Sequence, residues 1–521
     1  MTDTRPRAVN LAQLLTQTAR RLPAHDALIH GETRWSWKEL DDRVSSLAHT
    51  LSERGVGQGD CVLIHGTNHP EYVQTLFAIW RVGAVIAPTN VRLTPSDVVG
   101  IARTCRPVAM VCGADFTGHA AAVADAVDLP AGMLWLDAEA TQPDSVAAQV
   151  EAVDIPDTAV FAGDHAWYFF TSGTSGAPKA AVLTHDQMGF VVTNHLCDLM
   201  PATTERDVSL VVAPLSHGAG IHLLPQVAAG AASVLTTSAK MDGAQVWELV
   251  ERERVTNMFT VPTILKLLAE HPDAIARDHS SLRYLIYAGA PMYAADQRNA
   301  RDVLGDVLVQ YYGLGEVTGN ITVLPPRLHD HPSPAGIDIG TCGIPRTGMQ
   351  IAICDDSGAQ LPVGEQGEIC VAGPAVCAGY LDNPEANKQA FRDGWFRTGD
   401  LGVLDEHGFL YVTGRASDMY ISGGSNVYPR DIEEKLLAHP AVSECAVLGM
   451  PDPMWGEVGV AVCVAGPGLT IDVDELTAWL GERVARYKLP RRIYVWDEIP
   501  KSGYGKIVKR TIKAMLLERQ S

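Results

Sequence analysis

Residues 171–179 read TSGTSGAPK, a run of hydroxyls and glycines closing on a single lysine between the apolar stretches YFF and AAVL. Glycines let backbone N–H groups approach an anion, hydroxyls donate to phosphate oxygens, and Lys179 adds positive charge. The run reads as a phosphate cradle. It is not a Walker A loop, because Gly176 is followed by Ala-Pro and Lys179 by Ala180. Read alone, such a run is more often a solvated Gly/Ser turn.

It does not stand alone. PLSHGAG, YAGAPM, YYGLGE, GEICVAGP, WFRTGD, GRASDMYISGGSNVYPRDIE and PKSGYGK follow in that order and end at Lys506. Each is weak by itself. As an ordered set they resemble the adenylate-forming superfamily: acyl-CoA synthetases, the adenylation domains of peptide synthetases and firefly-type luciferases. The resemblance implies an α/β fold. A large N-terminal domain of parallel βα sheets plus a distorted β-barrel (1–415) would precede a small mobile α+β C-terminal domain (416–521). It also implies a two-step reaction using ATP, Mg2+ and coenzyme A. A carboxylate attacks the α-phosphate, giving acyl-AMP and pyrophosphate; a thiol then takes the acyl group and AMP leaves. An anion has to meet a tetra-anion in the first step, so cations and backbone donors must neutralise both.

Carried over by the resemblance, Thr171, Ser172, Gly173, Thr174, Gly176 and Lys179 line the triphosphate, and Glu316 with Thr174 holds Mg2+. Tyr312, beside Gly313, stacks on adenine, with Gly289, Ala290 and Pro291 bordering the base. Asp400 accepts the ribose hydroxyls, since an ionised carboxylate takes two O–H donors. Arg415 contacts ribose or phosphate, and Ser417 occupies the hinge, with Asp418 as second choice. Lys506 is the catalytic lysine that bridges carboxylate and α-phosphate. His217 gates the acyl pocket from the thiol tunnel, and Gly423 and Gly424 wall that tunnel. Trp455, Tyr487 and Arg491 match positions around the CoA nucleotide. Outside these motifs Tyr312 would be a core tyrosine (a part Tyr311 can play), Asp400 a turn residue, His217 a satisfied loop histidine and Lys506 a tail lysine. Arg491 would be a solvated edge.

Four positions depart from the family pattern: Gly315, where threonine is usual, Ser417, Leu489 and Tyr504. At Gly315 either Thr318 or a water replaces the lost hydroxyl, or the acyl pocket gains room. Gly319 would widen it too. The segments VVAPLSHGAGIHLL, YLIYAGAPM and YYGLGEVTGNIT should wall the acid and carry no Arg or Lys, which argues against a dicarboxylic acid. An apolar monocarboxylate is expected, a fatty acid first and an aromatic or alicyclic acid second. No carrier-like stretch follows the Lys506 loop, which favours CoA over a carrier protein. A luciferase-like oxygenase and a non-catalytic binding protein complete the alternatives; Glu316 and Lys506 speak against the last.

Strands and helices alternate through most of the chain, as parallel sheets covered by helices require. CVLIHG, AVIAP, VSLVVAP, AASVLTTS, NMFTVP, YLIYAG and VLVQYYG read as strands. Ser36 and Glu39 form a capping box ahead of the helix carrying Leu40, Val44, Leu47 and Leu51. After Gly340 the texture turns to hairpins, and from NVYPRDIEEKLLAHP to a small α+β unit. The 521 residues exceed one core, and the net charge of −20 disfavours nucleic acid as partner. The N-terminus lacks a signal-peptide pattern, and no apolar run reaches the roughly 20 residues of a membrane span. Ten cysteines without a CxxC pair suggest buried, reduced thiols in a cytoplasmic protein. Assembly as a homodimer stays open.

Overall fold

The protein is described here by a computed structural model that covers residues 4–519, apart from 139–140, 143, 151–152, 172–177, 239, 335–336, 338, 423–424 and 502–506. Among these residues two large sheets make the body. One has six strands in the order Lys179–Thr184, His165–Thr171, Val85–Thr89, Cys61–His65, Ala109–Cys112 and Met133–Trp135. All are parallel except Lys179–Thr184, which runs antiparallel to its neighbour. The other has nine strands. At its centre Leu308–Tyr312, Tyr284–Tyr287, Asn257–Thr260, Val208–Val211, Ala232–Leu235 and Asp26–His30 run parallel. The expected strands are thus present. Asp26–His30, which the local pattern does not announce, inserts beside Ala232–Leu235.

Helices cover these sheets for local reasons. The Ser36–Glu39 capping box forms and starts the helix Trp37–Glu53. Thr184 and Gln187 make a second one, so the strand Lys179–Thr184 passes directly into the helix His185–Asp198. The helix Pro70–Arg81 is buried along its whole length. Its last residue, Arg81, pairs with Asp41 at 2.5 Å and Asp157 at 3.0 Å. Trp37, Trp80 and Trp167 fill the interior around it.

A third, antiparallel sheet follows, with Gln350–Cys354, Gly367–Ala372 and Trp395–Leu404 in sequence and Leu410–Arg415 on Trp395–Leu404. The last sheet takes its strands only from Tyr420–Ser422 onward and is flanked by the helices Pro429–Leu437, Val473–Gly481 and Lys509–Glu518. The helix Val473–Gly481 ends where the N–H groups of Arg483 and Val484 fold back onto the carbonyl of Leu480. The ten cysteines are free thiols; all are buried except Cys197, which is exposed contrary to expectation.

The parallel strands end on a common rim, where loops rather than side chains of the sheet are free to meet a ligand. The turn after Val208–Val211 is held tight there. A Cβ on Gly220 would lie 2.1 Å from the carbonyl oxygen of Leu215 and 2.9 Å from Trp167. Gly189, inside the helix His185–Asp198, has nothing within 4 Å. Gly220→Ala should therefore lower the thermal unfolding midpoint, at an overpacking cost of roughly 1–3 kcal/mol. Gly189→Ala should raise it, by about 0.5–1 kcal/mol of helix stability.

Candidate active site

The two strands flanking residues 172–177 are in mutual register: Thr171 lies opposite Lys179 across the antiparallel pair. Thr171 and Lys179 are therefore fixed to each other, and Lys179 opens a strand rather than a helix. Ser172, Gly173, Thr174 and Gly176 lie outside the described residues, as do Gly423, Gly424 and Lys506.

One of these two residues, Thr171, meets Glu316. This residue stands in the short 3-10 turn Gly315–Val317 and is nearly buried. Thr171 Oγ1 donates to Glu316 Oε1 at 3.1 Å, and Tyr380 Oη donates to the same oxygen at 2.9 Å. Lys179 Nζ sits 5.5 Å from the centre of the Tyr380 ring, a cation–π arrangement. Burial and the Glu316 charge push the Tyr380 hydroxyl well above its usual pKa, so it stays a donor. Both bonds fall on Oε1. A carboxylate and hydroxyls are hard oxygen ligands of the kind Mg2+ takes, usually with one or two carboxylates and the substrate's phosphates. The donor set fits that ion.

A second carboxylate sits across the rim. Strand register puts Asp400 opposite Arg415, and Arg415 Nε pairs with Asp400 Oδ1 at 2.9 Å. Tyr312, at the end of its strand, donates from Oη to Asp400 Oδ2 at 2.6 Å. Asp400 is only 4% exposed, and its charge raises the Arg415 pKa further. Gly289 follows the adjacent strand with φ of +86°, a backbone state that L side chains rarely adopt. It brings Ala290 and Pro291 to the same rim.

His217 precedes the helix Gly218–Ala229 and bonds to Ser216 Oγ through Nδ1 at 3.0 Å. The Phe169 ring meets it edge-on, with centroids 5.0 Å apart. Phe169 also explains Gly315: a Cβ there would lie 2.5 Å from that ring. The missing threonine therefore does not open the pocket, because an aromatic side chain occupies the space. Gly319 does not widen it either, since its Cβ would lie 2.5 Å from the Tyr311 ring. Nor does Thr318 replace the lost hydroxyl; it is buried and donates to the carbonyl of Val317 at 2.6 Å. Tyr311 is a core residue, stacked on Phe259.

In the last sheet Trp455 is exposed at a turn, and the Arg491 guanidinium lies 6.0 Å from its ring centre. Tyr487 is exposed in a neighbouring short turn. Sequence reasoning missed Tyr380 and the purpose of Phe169. It also missed Arg346, buried next to the expected apolar wall. Nothing local in CAGYLDNPE or GIPRTGMQ marks either Tyr380 or Arg346, whose partners come from distant strands and helices.

Residues 15–381 match the family model described as AMP-binding enzyme, and residues 431–506 match the AMP-binding enzyme C-terminal domain. The chain belongs to the AMP-binding enzyme family, the adenylate-forming class of the fold just described. It is 40% identical over 497 residues to a feruloyl-CoA synthase of Amycolatopsis sp, covering 95% of this chain and 96% of that one. It is 33% identical to an indoleacetate–CoA ligase of Aromatoleum aromaticum, covering 98% and 99%. Among solved structures, an amide bond synthetase, McbA from Marinactinospora thermotolerans, superposes with a TM-score of 0.87 at 28% identity, over 97% of this chain and 99% of that one. With these relatives the chain is an acid–thiol ligase of the AMP-forming type. Among the described residues no helix is long and apolar enough to cross a membrane.

Gly315→Thr, which restores the residue usual in the family, should reduce thermal stability and activity together because the new side chain collides with Phe169. Adding Phe169→Ala should recover stability in the double variant; additive losses in unfolding scans would show that the two positions do not share this contact.

Proposed function

We propose that the enzyme joins a compact aromatic or alicyclic carboxylic acid to coenzyme A through an acyl-AMP intermediate. One carboxylate oxygen of the acid forms a bond to the α-phosphorus of ATP as the bond to the pyrophosphate oxygen breaks. The thiol sulfur of CoA then bonds to the acyl carbon, its proton is lost, and AMP leaves with the electron pair of the anhydride oxygen. The observation that carries this reading is the rim itself. Glu316, Thr171, Tyr380 and Lys179 gather on one side, and Tyr312, Asp400 and Arg415 on the other.

In this reading Lys179 and the hydroxyl loop hold the triphosphate, and Glu316, with Thr174, faces Mg2+, which would neutralise phosphate charge. Tyr312 supports adenine while its hydroxyl orients Asp400, whose carboxylate accepts the ribose hydroxyls. Lys506, the last residue of the matched C-terminal model, bridges the two anions as they meet. Rotation about Ser417, at a domain boundary near residue 415, would then exchange Lys506 for the thiol channel bounded by Gly423 and Gly424. Trp455, Arg491 and Tyr487 would meet the CoA nucleotide. A compact acid is favoured over a long alkyl chain because Phe169 and Tyr311 take up the room left by Gly315 and Gly319. The named acids of the two relatives, ferulate and indoleacetate, are of that kind.

The test is pyrophosphate release across a panel of aryl and alkyl acids with ATP, with and without CoA, and mass analysis of the thioester. Aryl acids should turn over faster, with acyl-CoA and AMP as products; absence of release with every acid would overturn the reading. Lys506→Ala should abolish most acyl-AMP formation while sparing thioester formation from supplied acyl-AMP, and equal loss in both halves would remove its assigned role. Asp400→Ala should raise the KM for ATP, by the equivalent of about 1–3 kcal/mol for a charged hydrogen-bonding partner; an unchanged KM counts against the ribose contact.

A further inference from the structure

Asp400, the carboxylate assigned to the ribose, is carried on an irregular piece of strand. Gly367–Ala372 pairs antiparallel with Trp395–Leu404, with Cys370 opposite Arg397 and Glu368 opposite Leu401. Thr398, Gly399 and Asp400 therefore stand across from Ile369 alone, a bulge with two residues more than its partner strand. A bulge re-aims a side chain and takes its own backbone groups out of the ladder. Packing does not hold its middle residue: a Cβ on Gly399 would meet nothing within 4 Å.

Polar side chains hold the bulge instead. Thr398 Oγ1 donates to the carbonyl of Ile369 at 2.8 Å and accepts from the Asp400 N–H at 3.0 Å. Glu368 Oε1 accepts from the Gly399 N–H at 3.1 Å. Its other oxygen, Oε2, takes Arg397 Nε at 2.7 Å and Nη2 at 2.5 Å. Arg397 thus pins one oxygen of Glu368 from the near end of the bulge, while the second oxygen holds its middle. The carbonyl of Gly399 accepts from the N–H of Ala416 at 3.1 Å, next in the chain to Arg415, the ion-pair partner of Asp400. Gly399 is therefore held on both sides, by Glu368 through its N–H and by the chain beside Arg415 through its carbonyl.

These contacts serve orientation more than stability. Gly399 is exposed, so its N–H turns to water when its acceptor is removed, at small net cost. The Glu368 and Arg397 side chains are 15% and 33% exposed, and ion pairs open to water contribute little. The direction of the Asp400 side chain, by contrast, follows from the backbone of the residue before it. We propose that Glu368 is a positioning residue for ATP: by holding the bulge it aims the Asp400 carboxylate at the ribose, and it touches no substrate itself. The proposal rests on the ribose contact assigned above.

The experiment is calorimetric titration of ATP, 2′-deoxy-ATP and 3′-deoxy-ATP, with Mg2+, into wild type, Glu368→Ala, Glu368→Gln, Asp400→Ala and the double variant Glu368→Ala/Asp400→Ala, with thermal unfolding of each. Wild type should bind ATP more tightly than at least one deoxy analogue, by on the order of tenfold, as loss of a hydrogen bond to a charged group predicts. Glu368→Ala should lose most of that ratio through weaker ATP binding, with an unfolding midpoint close to that of wild type. Glu368→Gln keeps an oxygen for the Gly399 N–H and should retain more of the ratio. In the double variant the loss should be no greater than in Asp400→Ala, because Glu368 acts through Asp400. An unchanged ratio in Glu368→Ala, equal weakening of all three nucleotides, or additive losses in the double variant each overturn the positioning role and leave the ribose contact standing. If Glu368→Ala does not fold, Arg397→Met, which removes only the clamp on Glu368, must lower the ratio in its place or the proposal falls. No discrimination among the three nucleotides in wild type defeats the ribose contact and the positioning role together.

Discussion

A buried carboxylate joins separate parts of this chain at the rim. Asp400 belongs to the antiparallel sheet, yet it accepts from Tyr312 at the end of a strand in the nine-stranded sheet. It is paired with Arg415, a few residues before the last sheet begins. An ionised group so enclosed persists only with partners on both oxygens. Those partners tie the antiparallel sheet to the nine-stranded one. Glu316 repeats the device on the other side, tying Thr171 of the six-stranded sheet to Tyr380.

The electrostatics follow a simple division. The chain carries a net charge of −20, which would repel a polyphosphate at long range. On the proposed reading, attraction is local, through cations such as Lys179 and Arg415. Each of the two described cations is held by an acidic or aromatic neighbour. Their positions are thus set before any anion arrives, so less ordering is left to the moment of binding.

Features whose causes are local were legible in the sequence. The Ser36–Glu39 box could be read because a capping interaction spans one turn, and the strand succession because buried parallel strands are short apolar runs between turns. Motif order pointed to the family and, through that resemblance, singled out Glu316, Asp400 and Tyr312. Gly315 was visible as a departure, but its cause was not: the Phe169 ring that excludes a side chain belongs to another sheet. Tyr380 and Arg346 were opaque for the same reason. Their contacts come from what approaches them in three dimensions, and no spacing encodes that.

The strand Asp26–His30, with its hairpin mate Thr33–Ser36, pairs with Ala232–Leu235. During synthesis this hairpin emerges from the ribosome long before its partner exists. The six-stranded sheet, whose strands all lie between Cys61 and Thr184, can assemble meanwhile. The early hairpin must wait with an unpaired edge, the kind of surface that recruits stray strands and chaperones. Nascent-chain exposure of this edge thus lasts from the synthesis of Asp26–His30 until Ala232–Leu235 has been made.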